Sequence, residues 1–184
     1  MIDKIINEAK NAVVAAVKGS GDIANALRST VKDVVVKTIK DAGEAGGETI
    51  GTVTHVAKGA ILGLAGTTID AVSGATAIVE SAVRGASEAG GDVVHAATGA
   101  VEGTIHGAAE IGGDIGQTAV HAVQSGIKAV GDVGGDTEQA TKKILAGAVS
   151  AADAVGGQAA KTVRDALKAA AGLPKEVVMA VVGK

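Results

Sequence analysis

The sequence repeats every eleven residues, and this period constrains the fold more than any other feature. The phase holds from Gly21 to Pro174 without an insertion, which makes fourteen units. The third position of the unit is apolar in all but one case, and the eighth is mostly Ile or Val, whereas the second and ninth collect charged and polar residues. Apolar positions three, four, seven, eight and eleven therefore form one stripe, which is the spacing of an amphipathic helix.

Eleven residues span three helical turns, so the repeat is about 3.67 residues per turn and its stripe winds gently to the right. The fold class predicted from this is all-α. The favoured architecture has long amphipathic helices with hendecad repeats, which associate as a right-handed coiled coil or a helical-bundle oligomer.

A second period of 22 residues is superimposed on the first. Glycine pairs recur along the chain, each followed by an acid or an amide, and in the intervening units the same position carries a larger side chain. Glycine notches and apolar knobs thus alternate along one face, and we predict that this face mediates self-association. Its residues are Gly46, Gly47, Gly90, Gly91, Val101, Gly112, Gly113, Val123, Gly134, Gly135, Leu145, Gly156 and Gly157.

The glycine pairs allow two interpretations. If helices run through them, each Gly costs about 1 kcal/mol relative to Ala, a cost that close helix contact would offset. The spacing of Gly43, Gly47 and Gly51, and again of Gly99, Gly103 and Gly107, suits such contact. Alternatively each pair is a turn, with the first Gly capping one helix and the following Asp capping the next, which gives a row of helices of about 18 residues. Acids such as Glu88 and Glu110 would then lie unfavourably in last turns.

The chain divides into four segments around this repeat. Residues 1–18 form an N-terminal amphipathic docking helix, 19–21 a Gly-Ser-Gly break, 22–172 the repeat region and 173–184 a C-terminal apolar tail after Pro174. The sequence contains no Phe, Tyr, Trp or Cys, so any core consists of small aliphatic side chains and is thin.

Candidate catalytic and metal-binding residues are few. Glu102, His106, Glu110 and Asp114 are spaced four apart on one side of a helix, and Asp92 and His95 resemble half of a di-metal motif. A solvated helix face with ordinary pairs explains both better, because no second ligand set occurs in the chain. We therefore predict a protein that is not an enzyme and has no cofactor or metal.

The charge pattern bears on partners and location. The formal net charge is −3 and the basic residues are dispersed among acids, so nucleic acid is not an expected partner. The N-terminus lacks the features of a secretory signal, and the apolar window 59–79 contains Asp70, which disfavours insertion into a bilayer. The predicted location is cytoplasmic, with a peripheral membrane association as the variant.

The stretches THVAKGAI from Thr54 and KKILAGAV from Lys142 resemble the 11- and 22-residue amphipathic repeats of synucleins and exchangeable apolipoproteins. The period also resembles that of late-embryogenesis-abundant proteins. The first two resemblances imply binding to a lipid or granule surface, and the third implies stress protection. Thr54, Thr76 and Thr98, spaced by 22, add an ice-binding variant.

The favoured function remains a self-associating scaffold, such as a stalk, tube or filament, that shelters lipophilic molecules for a larger complex. Small residues favour contact with another helix over contact with lipid. The expected partners are the chain itself, a larger complex contacted through residues 1–18 or the C-terminal tail, and, in the alternative, a lipid surface.

Overall fold

The computed structural model describes residues 2–42 and 48–183, and all regular structure in these residues is helical. The helices are α1 (Ile2–Gly19), α2 (Ile23–Ala42), α3 (Glu48–Gly63), α4 (Ala71–Glu88), α5 (Val93–Glu110), α6 (Ile115–Asp132), α7 (Thr137–Val155), α8 (Gly157–Ala169) and α9 (Lys175–Val182). The prediction of an all-α chain is confirmed. The break at 19–21 separates α1 from α2, and the C-terminal tail contains α9.

Each described glycine pair ends a helix. At the α5–α6 junction, the Gly113 amide donates to the Ala108 carbonyl at 2.8 Å and the Gly112 amide to the Ala109 carbonyl at 3.4 Å, which is the Schellman pattern. Gly112 has φ +71°, a conformation that L side chains rarely adopt. The Asp114 carboxylate then accepts from the Gln117 amide at 2.9 Å and starts α6.

The same junction is repeated at two other described pairs. Gly90 and Gly134 also have positive φ, and Asp92 and Asp136 cap α5 and α7. At the fourth pair, Gly156 has φ +142° and α8 begins at Gly157 without a side-chain cap. The prediction that long helices run through the glycine pairs is therefore wrong at these positions, and the alternative of helices of about 18 residues describes the chain. Gly46 and Gly47 lie outside the described residues.

The acids in the last turns, which argued against turns, have basic partners on other helices or one turn away. Lys32 on α2 lies 3.0 Å from Glu88 at the end of α4, and Lys58 on α3 lies 2.5 Å from Glu110 at the end of α5. Asp132 pairs with Lys128 of its own helix at 2.6 Å. These cations offset the repulsion between each carboxylate and the negative end of its helix.

The helices form two layers. The odd-numbered helices pack side by side in the order α1, α3, α5, α7 and α9, and the even-numbered helices do so in the order α2, α4, α6 and α8. Each helix also contacts its neighbours in sequence, so the stripe of one layer covers the stripe of the other. One continuous core of Ala, Val, Ile and Leu side chains runs between the layers. This arrangement is an α-solenoid, in which a short helical unit is stacked along one axis.

Glycines set the closest approach within a layer. Gly99, Gly103 and Gly107 of α5 lie directly against α3, and a Cβ at Gly103 would be 2.8 Å from the Ala57 Cβ and 2.9 Å from the Lys58 amide nitrogen. Gly59 and Gly63 of α3 lie against α1 in the same way. The close helix contact predicted for the glycines at 99, 103 and 107 is confirmed, and it joins helices of one chain.

The apolar window 59–79 does not form a single helix. It contains the end of α3, a turn with Gly66 at φ +81°, and the start of α4 capped by Asp70. In the described part of the chain, we find no helix whose length and apolar character would suffice to cross a bilayer.

Candidate functional site

The side chains predicted to mediate self-association lie inside the chain. Val101, Val123 and Leu145 are fully buried in the core. Val101 lies against Gly126, where a Cβ would be 3.2 Å from an Ile144 methyl carbon, 3.4 Å from a Val79 methyl group and 3.6 Å from a Val101 methyl group. The described glycine pairs form turns instead. The contacts that we expected between chains are thus made between helices of one chain.

The predicted metal-ligand row on α5 is only partly brought together. Glu102, His106 and Glu110 follow one another along the outer face of the odd layer, but Asp114 caps the next helix. Glu110 is paired with Lys58, and the Thr54 hydroxyl lies 3.4 Å from a Glu102 carboxylate oxygen. In residues 2–42 and 48–183, no three His, Cys, Asp or Glu side chains converge as metal ligands.

Partial burial between α3 and α7 changes the titration of this row. Burial raises the pKa of Glu102 above its ordinary value, although the Thr54 hydroxyl opposes the change. Burial, followed by the nearby Lys58 ammonium, lowers the pKa of His106. Burial and Lys58 lower the pKa of His55 as well. Burial therefore disfavours the charged forms of both Glu102 and His106.

Asp92 and His95, the second candidate, have structural roles. The Asp92 carboxylate accepts from the Val94 and His95 amides at 2.9 and 3.0 Å, which caps α5. Its other oxygen is 2.7 Å from His95 Nδ1, off the direction of a hydrogen bond, so the contact is electrostatic. His95 Nε2 is 3.3 Å from the Lys143 ammonium of α7. A shallow groove of about 320 Å³ beside them is lined by Thr98, Glu102 and Gly147, among others.

The threonines spaced by 22 do not share a surface. Thr54 and Thr98 belong to neighbouring helices of the odd layer, where Thr98 is buried, while Thr76 lies on α4 in the other layer. Each donates its hydroxyl hydrogen to the carbonyl four residues earlier. The flat threonine face that an ice-binding surface would need is absent from these three positions.

A groove lies at the α1–α2 end of the array. It has a volume of about 710 Å³ and runs between α1 and α2 on the side away from α3 and α4. We call it the end groove. Its residues are Lys4, Ile5, Glu8, Asn11, Ala12, Val34, Lys37, Thr38 and Asp41.

The end groove has an apolar floor between charged edges. Ile5, Ala12 and Val34 are half-buried, whereas Lys4 and Glu8 on α1 and Lys37 and Asp41 on α2 are exposed. Lys4 and Glu8 are 3.9 Å apart, and within the described residues no ion pair crosses from α1 to α2. An apolar floor inside a charged rim is an arrangement that protein interaction surfaces often have.

A second groove of about 580 Å³ lies at the opposite end, where the short α9 covers only part of the α6–α7 hairpin. Ile127, Leu173 and Val177 line it, with Lys128 and Glu138 at its edge. The Gln124 amide group donates to the Ala171 carbonyl at 2.7 Å and anchors the segment before α9.

Sequence reasoning missed the contribution of α2 to the end groove. One signal was available: α2 contains no glycine and α1 contains one only at its last residue, whereas α3 to α7 each contain an internal glycine. Helices without notches are those whose outer face receives no close neighbour, so glycine-free helices mark the ends of the array.

No family model matches this sequence, and the curated proteins contain no match. Among solved structures, the chain is similar to the crystal structure of the de novo designed helical repeat protein DHR7. The two sequences are 18% identical, the alignment covers 100% of this chain and 97% of that one, and the TM-score is 0.54. At this identity the likeness concerns the fold, and it supports the description of the chain as a helical repeat protein.

Proposed function

We propose that the protein is a non-enzymatic structural scaffold that associates with itself at the ends of its helical array. The observation that carries this proposal is the distribution of apolar surface. Along the array each stripe is covered by the next helix, whereas the end groove leaves Ile5, Ala12 and Val34 without a helix over them.

Solenoid architecture explains why ends are the places for association. Each unit of a solenoid contacts only its nearest neighbours, so interior units satisfy their interfaces and terminal units have one face left over. A second chain that covers such a face adds the kind of helix-on-helix contact that already stabilises the interior. Self-association then requires no feature beyond the fold itself.

The titratable groups of the odd layer support a structural role. Glu110 is held by Lys58, Asp92 caps α5, and Glu102 lies beside Thr54. None of these arrangements pairs a nucleophile with a base or gathers donors around a reacting atom, which are the features of an active site. We accordingly propose that the protein is not an enzyme. Its proposed location in the cytoplasm rests on the charge and apolar pattern of the sequence.

The lipid-surface alternative has less support. Such proteins need a continuous apolar stripe that is free to enter the headgroup region. Here the stripe is buried between the two layers, and among the described residues the exposed large apolar side chains are Ile2, Val155 and Met179. These three belong to α1, α7 and α9 and form no stripe.

Sedimentation velocity over a hundredfold range of protein concentration tests the proposal. We expect the weight-average sedimentation coefficient to rise with concentration, with helical far-UV circular dichroism at every point. A sedimentation coefficient that stays at the monomer value throughout the range contradicts self-association and would leave the chain a monomeric repeat protein.

A further inference from the structure

We propose that the end groove binds the end groove of a second copy in a two-fold symmetric dimer. This inference rests on the proposed self-association and names the surface that mediates it. It derives from the order of charges along the two helices that form the groove.

At each level along the groove, the charged residues of α1 and α2 have opposite signs. On α1, Lys4 precedes Glu8 by one turn, and on α2, Lys37 precedes Asp41 by one turn. Consecutive helices joined by the short 20–22 turn are antiparallel, so the start of α1 lies beside the end of α2. Lys4 is therefore on the side of the groove opposite Asp41, and Glu8 opposite Lys37.

A two-fold axis along the helices places α1 of one chain over α2 of the other without changing the level along the axis. Lys4 then faces Asp41 of the second copy, and Glu8 faces its Lys37. Symmetry repeats both contacts, which makes the surface self-complementary, as a two-fold interface requires.

The other symmetric orientation is matched as well. A two-fold axis across the groove, level with the midpoint of Lys4 and Glu8, places α1 over α1, with Lys4 facing Glu8 of the second copy. Charged pairs at the rim give specificity, while the apolar floor supplies the area removed from water. In either orientation, Ile5 and Val34 are covered by helices of the second copy.

Paired charge reversals test the surface. Variant A carries Lys4→Glu and Lys37→Glu, so all four charges of its groove are negative, and variant B carries Glu8→Lys and Asp41→Lys, so all four are positive. For each variant alone we expect the dimer dissociation constant to rise by at least about tenfold. An equimolar mixture of A and B should recover dimers, now as heterodimers, because each acid again faces a base.

A control reverses two charges at the other end of the array. The double variant Lys168→Glu with Lys175→Glu makes the same change in net charge at exposed positions of α8 and α9, and it should leave dimerisation unchanged. All samples are compared by sedimentation velocity, with circular dichroism to verify that each variant is folded.

The outcomes separate this inference from the proposed function. If the wild type associates and the Lys168 and Lys175 control alone disrupts it, self-association stands but the end groove is the wrong surface. If A and B dissociate and their mixture stays monomeric, the charges of the two end grooves do not face one another across the contact, which overturns the inference. A wild type that is monomeric at every concentration overturns both proposals.

Discussion

Gly103 lies where two helices of the odd layer come closest. The backbone of α3 passes directly over it, so that the carbonyl of Thr54 and the amide of Lys58 occupy the space a side chain would need. An internal glycine lowers helix stability, yet here it allows two backbones to approach and to bury the Ala and Val side chains around them. In a chain without aromatic residues, this close approach replaces bulk as the way to fill the core.

Replacing this glycine tests the notch. Gly103→Ala should destabilise the fold by about 1–3 kcal/mol, because the added methyl group forces α3 and α5 apart. Gly51→Ala on α3 is the matched control, since nothing lies within 4 Å of its Cβ position. There the same substitution should stabilise by about 0.5–1 kcal/mol through helix propensity. Urea unfolding measures both, and equal effects at the two positions would contradict the packing argument.

Glu102 is a second residue whose surroundings determine its behaviour. Its pKa is raised by burial, so the folded state penalises the carboxylate relative to the unfolded state. Stability from this residue is therefore greatest at low pH and is lost as pH rises from the ordinary Glu pKa through the raised one. Above that window the loss is constant.

Glu102→Gln removes the titration while keeping an oxygen for the Thr54 hydroxyl. We expect the variant to gain Tm relative to the wild type at pH 7 and to gain less at pH 4. Differential scanning calorimetry at the two pH values measures this, with Glu176→Gln at an exposed position of α9 as the control for the lost negative charge. A larger gain at pH 4 than at pH 7 would reverse the sign and refute the assignment.

At the scale of the element, the boundaries between α4, α5, α6 and α7 are each made by three consecutive residues. The first glycine adopts positive φ and ends one helix, and the acid after the second caps the next helix. The unfavourable acid in each last turn is compensated by a lysine, which for Glu88 lies 56 residues earlier in the chain. Helix length is thus fixed at about five turns, which equals one pass across the solenoid.

The junction between α5 and α6 offers a test of this boundary. Gly112→Ala should cost about 1–2 kcal/mol, since its φ of +71° is unfavourable for a residue with a Cβ although no atom lies within 4 Å. Gly112→Asn, whose side chain tolerates this conformation, should cost less. The ranking is read from thermal unfolding, and an Ala variant as stable as the wild type would mean that the turn is not required.

The cap at the same junction is independent of the glycine. Asp114→Ala removes the acceptor for the Gln117 amide and should cost about 1 kcal/mol. Asp114→Asn keeps an acceptor and should retain most of the stability. Hydrogen exchange at the start of α6 reports the loss locally, and unchanged protection there in the Ala variant would contradict the capping role.

At the scale of the whole molecule, the amphipathic stripe is internal. The stripes of the two layers cover one another. The exposed surface consists mainly of charged and polar helix faces, with charges of both signs. A chain with this arrangement does not depend on an external apolar surface for its helices. Its helicity and its affinity for lipid are therefore separate properties.

Circular dichroism with and without anionic lipid vesicles measures this separation. We expect full helicity in plain buffer and no increase on addition of vesicles, because the apolar side chains are already buried. Cosedimentation with the vesicles should also be absent. A disordered chain that becomes helical only on vesicles would contradict both the fold and the scaffold proposal.

Local features of the sequence were sufficient for the elements. The 11-residue period predicts helices and names the apolar positions, and residues such as Val101 and Val123 are indeed fully buried. The triplet Gly-Gly-Asp contains the chemistry of a helix boundary, and the glycines at 99, 103 and 107 predict close helix contact. Each of these depends on residues within one or two helical turns of one another.

The partner of the stripe was decided only by tertiary structure. Periodicity shows that an apolar stripe must be covered, but it applies equally to a second chain, a lipid surface or the next helix of the same chain. Which of these three covers the stripe depends on contacts between residues distant in sequence, such as Lys58 with Glu110 and Gly103 with Ala57. These contacts form only when the chain turns back between short helices. The polar positions of the repeat indicated no functional role for α2, because the groove between α2 and α1 exists only once the two helices lie side by side.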